Sequence, residues 1–194
     1  MCNDYGNHVA YAEYADTMRQ LRMPIRAPLA PPNLEPRSDI WPTEIAPVFW
    51  RHDDGVEMAQ LRWGFPSSSP KGRAVINFKS EGRRFAQSRR CLVPATHFYE
   101  FKGAKPPKEK YRFTLSGEPW FCFAGLWRGP APDDAAGSFT LLTTAPGPDV
   151  APIHNRQMVV LPRDRWTAWL DLTAPEAELL APLPPGSLSV ERVR

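Results

Sequence analysis

The chain has 194 residues, 42% of them hydrophobic, with a formal net charge of +3, 23 prolines and three cysteines. That length suits one domain with a real core, and no apolar run approaches the ~20 residues that a membrane span needs. The modest charge permits nucleic-acid binding without requiring it, and an odd number of cysteines argues against a disulfide framework.

The chain opens Met1-Cys2-Asn3-Asp4-Tyr5, with neither a basic nor an apolar leader region, so secretion is not expected. Residues 8–23 form the first helical candidate, with Val9, Ala12, Ala15, Leu21 and Met23 unevenly spaced. From Pro24 to Pro47 the prolines, among them Pro28, Pro31, Pro32, Pro36 and Pro42, forbid a regular helix or central strand and predict a segment wrapped over the surface. Short runs rich in aromatic and β-branched residues then predict strands at 48–50, 58–63, 91–93, 98–101, 111–115, 121–127, 139–144 and 158–161. A short arginine-bearing helix is expected at 83–90. Late helices are expected at 164–170 and 175–180, the second capped by Thr173 with Pro175 in its first turn. The fold class this predicts is α+β: a single domain with a curved, mostly antiparallel, barrel-like sheet core and a few peripheral helices.

Cys2 is the most informative single residue. On a frayed end it means nothing. If Met1 is removed, it carries a primary amine beside a thiol, and the amine titrates near ~7.7–8.0, where it is partly neutral and nucleophilic. Such an aminothiol captures aldehydes as a Schiff base, which sulfur then closes to a thiazolidine. Three further polar residues interrupt strand-like sequence. Asn77 is either a turn former or an amide aimed into a site. Glu100, between aromatics, lies either on a solvent face or in an apolar pocket that raises its pKa and suits it to proton transfer. His154 is either a hydrogen-bonded structural residue or a group titrating near neutrality.

Spacing excludes other machinery. Cys2, Cys91, Cys122, His8, His52, His97 and His154 offer no C-x-x-C and no close His/Cys pair, so no metal site is expected. There is no G-x-S-x-G, no Gly-Lys-Ser/Thr loop and no G-x-G-x-x-G. Cys91 and Cys122 read as small buried hydrophobes. Trp63, ahead of Gly64-Phe65-Pro66, could present its face to a base; Arg83, Arg84, Arg89 and Arg90, and the run Lys102, Lys105, Lys108 and Lys110, offer phosphate partners or plain solvated charge.

Taken in order, Met-Cys at the start, Arg62-Trp63-Gly64-Phe65, Ile76-Asn77 with Ser80-Glu81, the block from Arg89 to Phe101, Ala124-Gly125-Leu126-Trp127, Leu142-Thr143-Thr144, and Ile153-His154 with Arg156 resemble the SOS-response-associated peptidase (SRAP) family of abasic-site-processing proteins. The resemblance implies one such domain over residues 1–194, and a covalent thiazolidine crosslink between Cys2 and the aldehyde of an abasic site in single-stranded DNA, shielding the lesion during the DNA damage response. It also implies autocatalytic removal of Met1, a lyase-like and autopeptidase activity, no cofactor or metal, a monomer, and a cytoplasmic location, on the nucleoid when DNA is engaged. By the same resemblance Asn77 positions Cys2 and the opened sugar, Glu100 shuttles protons, and His154 helps open the deoxyribose and reverse the link. DNA contacts fall to Trp63, Lys79, Arg83, Arg84, Arg89, Arg90, Phe101, Thr143 and Arg156.

The chain departs from the family pattern in several places. Asn3-Asp4 replaces Gly-Arg and sets a negative charge where DNA should pass. Asn77-Phe78-Lys79 replaces Asn-Ala-Arg, Thr96-His97 replaces Asp-Gly, Phe101 replaces Trp, and Asp39-Ile40-Trp41-Pro42-Thr43 stands for Asn-x-Ala-Pro-Thr. Two other readings follow from the same residues: a cysteine peptidase or amidohydrolase with Cys2 as N-terminal nucleophile and His154 or Glu100 as base, or a catalytically idle nucleic-acid-binding domain.

Overall fold

The structure is a computed structural model describing residues 2–26, 28, 32–67, 69, 72–132 and 134–194; Met1 and Pro31 of the sequence reading lie outside the described residues. In chain order the elements are β1 (Tyr5–Asn7), α1 (Tyr11–Gln20), β2 (Arg37–Ile40), β3 (Ile45–His52), β4 (Gly55–Trp63), β5 (Asn77–Lys79), β6 (Arg90–Ala95), β7 (His97–Lys102), β8 (Glu109–Leu115), β9 (Phe121–Arg128), β10 (Ser138–Thr144), β11 (Gln157–Met158), β12 (Val160–Leu161), α2 (Trp166–Asp171), α3 (Glu176–Leu179) and β13 (Leu188–Arg192).

Two sheets are present. One has five strands in the order β13-β8-β7-β1-β2. In the other, β10, β4, β3, β6 and β9 follow one another, and a β9–β10 pairing closes the path into a ring, with β11, β12 and β5 attached. Pairings are antiparallel except those of β10 with β4 and β5. This is the α+β, curved, mostly antiparallel architecture expected from the sequence.

Ring strands β6, β9 and β10 are buried on both faces along most of their length. Along β9, Phe121 and Phe123 join the inner cluster with Val93, Phe98, Phe139 and Leu141. Cys122 and Ala124, pointing the other way, join an outer cluster with Phe49, Leu92, Trp120, Trp166 and Trp169 under the helices. Side chains alternate across a strand, so covering both faces yields continuous apolar runs rather than alternating ones. Trp169 and Trp166 also donate indole N–H groups to the carbonyls of Cys91 (3.0 Å) and Leu161 (2.9 Å), which fixes α2 to the ring.

Several sequence expectations are corrected. Helix α1 is shorter than 8–23 and buries Tyr14, Thr17 and Met18. The proline-dense segment contains edge strand β2, and Pro47 lies inside β3 opposite Gln60. A proline is accommodated there because β3 meets β6 further along, at Phe49 against Leu92. Residues 83–89 form irregular chain with a turn at 86–87, not a helix, and Arg90 opens β6. Their backbone is committed elsewhere: the Arg90 guanidinium takes the carbonyls of Phe85 (2.8 Å), Ala86 and Ser88, while the Phe85 amide donates to Glu176 Oε1 at 2.6 Å. The 158–161 run divides, β11 pairing with β10 and β12 with β9. Pro175, not Thr173, occupies the N-cap of α3, with no side-chain cap. Strands β1, β2, β5 and β13 have no counterpart among the strands expected from the sequence.

The block 90–102 passes from one sheet to the other at Thr96, whose amide donates to the Gly6 carbonyl at 2.9 Å. Gly6 packs so closely there that a Cβ would lie 2.2 Å from the His97 ring and 2.7 Å from the Ser38 carbonyl oxygen. This crossing draws β1, and with it the start of the chain, between β2 and β7.

Candidate active site

Cys2 lies just upstream of β1, separated from it by Asn3 and Asp4, and is 1% exposed. The Tyr99 amide donates to the Asp4 carbonyl at 2.9 Å, and Tyr5 registers with Phe98, so the chain start follows β7. On β7, Phe98 enters the inner core, and Glu100, two residues on, points to the same side. It is also 1% exposed. Burial raises its carboxyl to about 7. Its Oε1 has no hydrogen-bond partner among the described residues.

Asn77 comes from the opposite direction. Strand β5 runs parallel to β10, with Asn77 against Leu141, and its entry is fixed by the Trp63 indole, which donates to the Ile76 carbonyl at 3.0 Å. Asn77 Nδ2 donates to the Cys2 carbonyl oxygen at 2.7 Å, while its Oδ1 is buried with no partner among the described residues.

His154 follows a helical turn in which its amide donates to the Val150 carbonyl at 3.0 Å. Its Nδ1 lies 2.7 Å from the Arg156 carbonyl oxygen and 3.4 Å from Glu100 Oε2. Burial lowers its pKa, so the ring is neutral at neutral pH. The Cys2 thiol points to the Arg156 carbonyl, 3.6 Å away, and burial followed by the charge of Glu100 raises its pKa well above the ordinary value. One donor atom each from Cys2, Glu100 and His154 lie within 4.8 Å of one another. The sequence spacing argued against any metal site, yet the fold gathers a thiol, a carboxylate and an imidazole that could hold an ion. Long-range strand pairing makes this cluster, and no local motif announces it.

The predicted DNA-contacting residues divide. Trp63 is fully buried, edge-on to Tyr5 at 5.2 Å, and offers no face to a base. Arg90 spends its donors on backbone carbonyls, including those of Trp169 (3.0 Å) and Leu170 (2.9 Å), so it is a structural tie rather than a phosphate partner. Arg156 Nη2 donates to Glu81 Oε2 (2.9 Å) and to Thr143 Oγ1 (3.1 Å), and this pairing holds the Glu81 carboxyl down to about 2. Phe101 is half-buried, and Lys79 is exposed at the end of β5. Arg83, Arg84 and Arg89 line a separate open cleft of about 500 Å³ with Phe65, Phe78 and Trp127.

Asp4 also departs from expectation. It is fully buried, so its charge does not face passing DNA. Lys110 Nζ lies 2.8 Å from Asp4 Oδ2 and 2.7 Å from Asp39 Oδ1, and 3.6 Å above the Tyr99 ring. Burial raises Asp4 to about 6 despite the ammonium beside it. Burial also works against the Lys110 charge, but the two carboxylates more than offset it and raise the lysine. The role of Lys110 was legible only as one member of a lysine run; its partners lie 71 and 106 residues away in sequence.

The family model for "SOS response associated peptidase (SRAP)" matches residues 1–194. Abasic site processing protein YoqW of Bacillus subtilis (strain 168) is 26% identical over 181 residues, covering 86% of this chain and 80% of that protein. Abasic site processing protein YobE of the same strain is 25% identical over 180 residues, covering 86% and 81%. A crystal structure of a protein from Bacteroides thetaiotaomicron superposes with a TM-score of 0.77 at 18% identity, covering all of this chain and 92% of that one, a likeness of fold.

Proposed function

The chain belongs to the SOS response associated peptidase (SRAP) family, and from that membership we propose that it processes abasic sites in DNA by forming a covalent bond through Cys2. The observation that carries this reading is the convergence of Cys2, Glu100 and His154 within 4.8 Å, with Asn77 holding the Cys2 carbonyl at 2.7 Å.

The first step hydrolyses the Met1–Cys2 peptide bond and frees the Cys2 amine. His154, neutral beside Glu100, accepts the anomeric hydroxyl proton as the bond from C1′ to the ring oxygen breaks, and returns it to that oxygen, so that the abasic deoxyribose opens to its aldehyde and a C4′ hydroxyl. The amine adds to that carbon, and Glu100 protonates the departing hydroxyl, so that water leaves and an imine forms. A carboxyl titrating at about 7 can make this donation near neutrality and then take a proton back. The thiol next adds to the imine carbon, Glu100 accepts the sulfur-bound proton, and the ring nitrogen is protonated in turn. The sum is aldehyde plus aminothiol giving thiazolidine plus water, with no change of oxidation state. The unpartnered Oδ1 of Asn77 is available to a hydroxyl of the opened sugar.

The raised thiol pKa favours this order. A thiol kept protonated by burial is a poor first nucleophile, as a cysteine peptidase would need, but it is adequate once an imine stands beside it. The proposed substrate is an abasic site in single-stranded DNA, and the cavity leading to Glu100 and His154, about 290 Å³, has room for a sugar. The protein acts as one domain and as a monomer.

The test combines intact mass with a denaturing gel. The purified chain is expected to begin at Cys2 and to form a denaturant-stable adduct with an abasic single-stranded oligonucleotide, abolished in Cys2→Ala. A protein with a verified Cys2 N-terminus and no adduct would overturn the proposal.

A further inference from the structure

An abasic sugar carries no base, so a protein that captures it must draw much of its affinity from the neighbouring nucleotides. The cavity that opens on Glu100 and His154 is walled by Asn3, Trp41, Phe101 and Lys108 as well. Trp41 is 41% exposed, whereas Trp63, Trp120, Trp166 and Trp169 are buried and Trp50 stacks on Trp127 at 3.9 Å. No aromatic ring pairs with the Trp41 indole among the described residues.

The backbone carrying it is nonetheless fixed. The Trp41 amide donates to Glu44 Oε2 at 2.6 Å, the Glu44 amide returns to the Trp41 carbonyl at 3.1 Å, and Arg37 Nη2 anchors Glu44 Oε1 at 2.6 Å. The Thr43 amide donates to the Trp63 carbonyl at 2.8 Å, which ties the turn to β4. A pinned turn that leaves a large apolar ring in water forgoes the burial free energy such a ring normally supplies. Lys110 Nζ lies 5.8 Å from the centroids of both Trp41 and Phe101, and exposed Lys108 adds positive charge at the same rim. An exposed indole and a half-buried phenyl ring beside exposed Lys108, along the path to the proposed sugar-reactive centre, are what a single strand requires, while Lys110 is paired with Asp4 and Asp39.

We propose that Trp41, seconded by Phe101, is the stacking platform for the nucleobase flanking the abasic sugar. This deepens the abasic-site reading and rests on it. Stacking engages the π-face common to all bases, so the platform accepts any base and holds purines best.

Adduct formation would be compared on two single-stranded oligonucleotides, one with the abasic site between adenines and one with it between base-less spacers. Wild-type protein should react about tenfold faster with the adenine-flanked strand at subsaturating concentration. Trp41→Ala should lose that preference while keeping wild-type melting, and Trp41→Phe should restore most of it. A flanking 2-aminopurine should be quenched on binding to wild type and not to Trp41→Ala. Equal reaction of wild type on both strands, or an undiminished preference and quench in Trp41→Ala, would overturn the platform alone. No adduct on either strand from protein beginning at Cys2 would instead overturn the abasic-site reading, and the 2-aminopurine measurement would still decide whether Trp41 stacks.

Discussion

Asn77 Nδ2 donates to the Cys2 carbonyl oxygen at 2.7 Å across 75 positions of sequence, joining the first strand of the β5–β10 pair to the start of the chain. Cys2, the residue proposed to react, is thus held by a side chain from β5 as well as by the backbone pairing that begins at Asp4. Asn77→Ala removes that donor and leaves the carbonyl without it. Loss of such a bond costs about 1–3 kcal/mol, so single-turnover adduct formation should slow by about 5- to 160-fold, with an unchanged circular dichroism spectrum.

Glu100 and Asp4 give stability a pH dependence of defined sign. Both carboxyls titrate higher when folded, Glu100 rising from 4.5 to about 7 and Asp4 from 3.8 to about 6. The folded state therefore holds protons that the unfolded state has released. Their contribution is full below the unfolded values and is lost as pH rises through about 6 to 7. Urea midpoints should increase as pH is lowered from about 8 to about 5, and Glu100→Gln should flatten that slope. Below this window Glu81, held down to about 2 by Arg156, works in the opposite direction.

Lys110 lies between two carboxylates, one of them fully buried. Lys110→Met leaves Asp4 without its counter-charge, a change that costs about 3–5 kcal/mol when a buried pair is broken. The loss should be smaller near pH 5, where Asp4 is protonated. Chemical denaturation of Lys110→Met and of the double variant with Asp4→Asn checks this, the double variant recovering most of the stability.

Trp63 acts through packing. Trp63→Ala should lower stability by about 3–5 kcal/mol, while its folded fraction binds single-stranded DNA with wild-type salt dependence, measured by fluorescence anisotropy. A selective loss of affinity in the folded protein would return Trp63 to the DNA surface.

The eight strand runs read from sequence all lie on observed strands, because aromatic and β-branched clusters between Pro and Gly carry that signal whichever face is buried. Short strands such as β1 and β5 carried none, since Tyr5-Gly6-Asn7 and Asn77-Phe78-Lys79 become strands only by pairing with β7 and β10. Cys2 was identifiable from its place behind Met1 and Asn77, Glu100 and His154 as polar interruptions, but only the family resemblance implied that they meet, since the meeting depends on pairings in both sheets. Trp63 shows the opposite failure: a tryptophan before a Gly-Phe-Pro turn has the sequence of an exposed platform, and only the ring closure buries it. Trp41, in a proline-rich segment with no periodicity, showed only as part of a departure from the family pattern, Asp39-Ile40-Trp41-Pro42-Thr43, with nothing to mark its exposure.

Strand β1 is bonded on both edges, to β2 at Tyr5 against Ile40 and to β7 at Tyr5 against Phe98. Whatever becomes attached to Cys2 is therefore fastened to the interior of a sheet rather than to a loose tail. A protease could not clip the tether and release the chain; it would first have to pull β1 away from both neighbouring strands. Were the chain joined to DNA as proposed, its clearance would begin with unfolding, and its lifetime there would be set by the mechanical resistance of the sheet as much as by the bond itself.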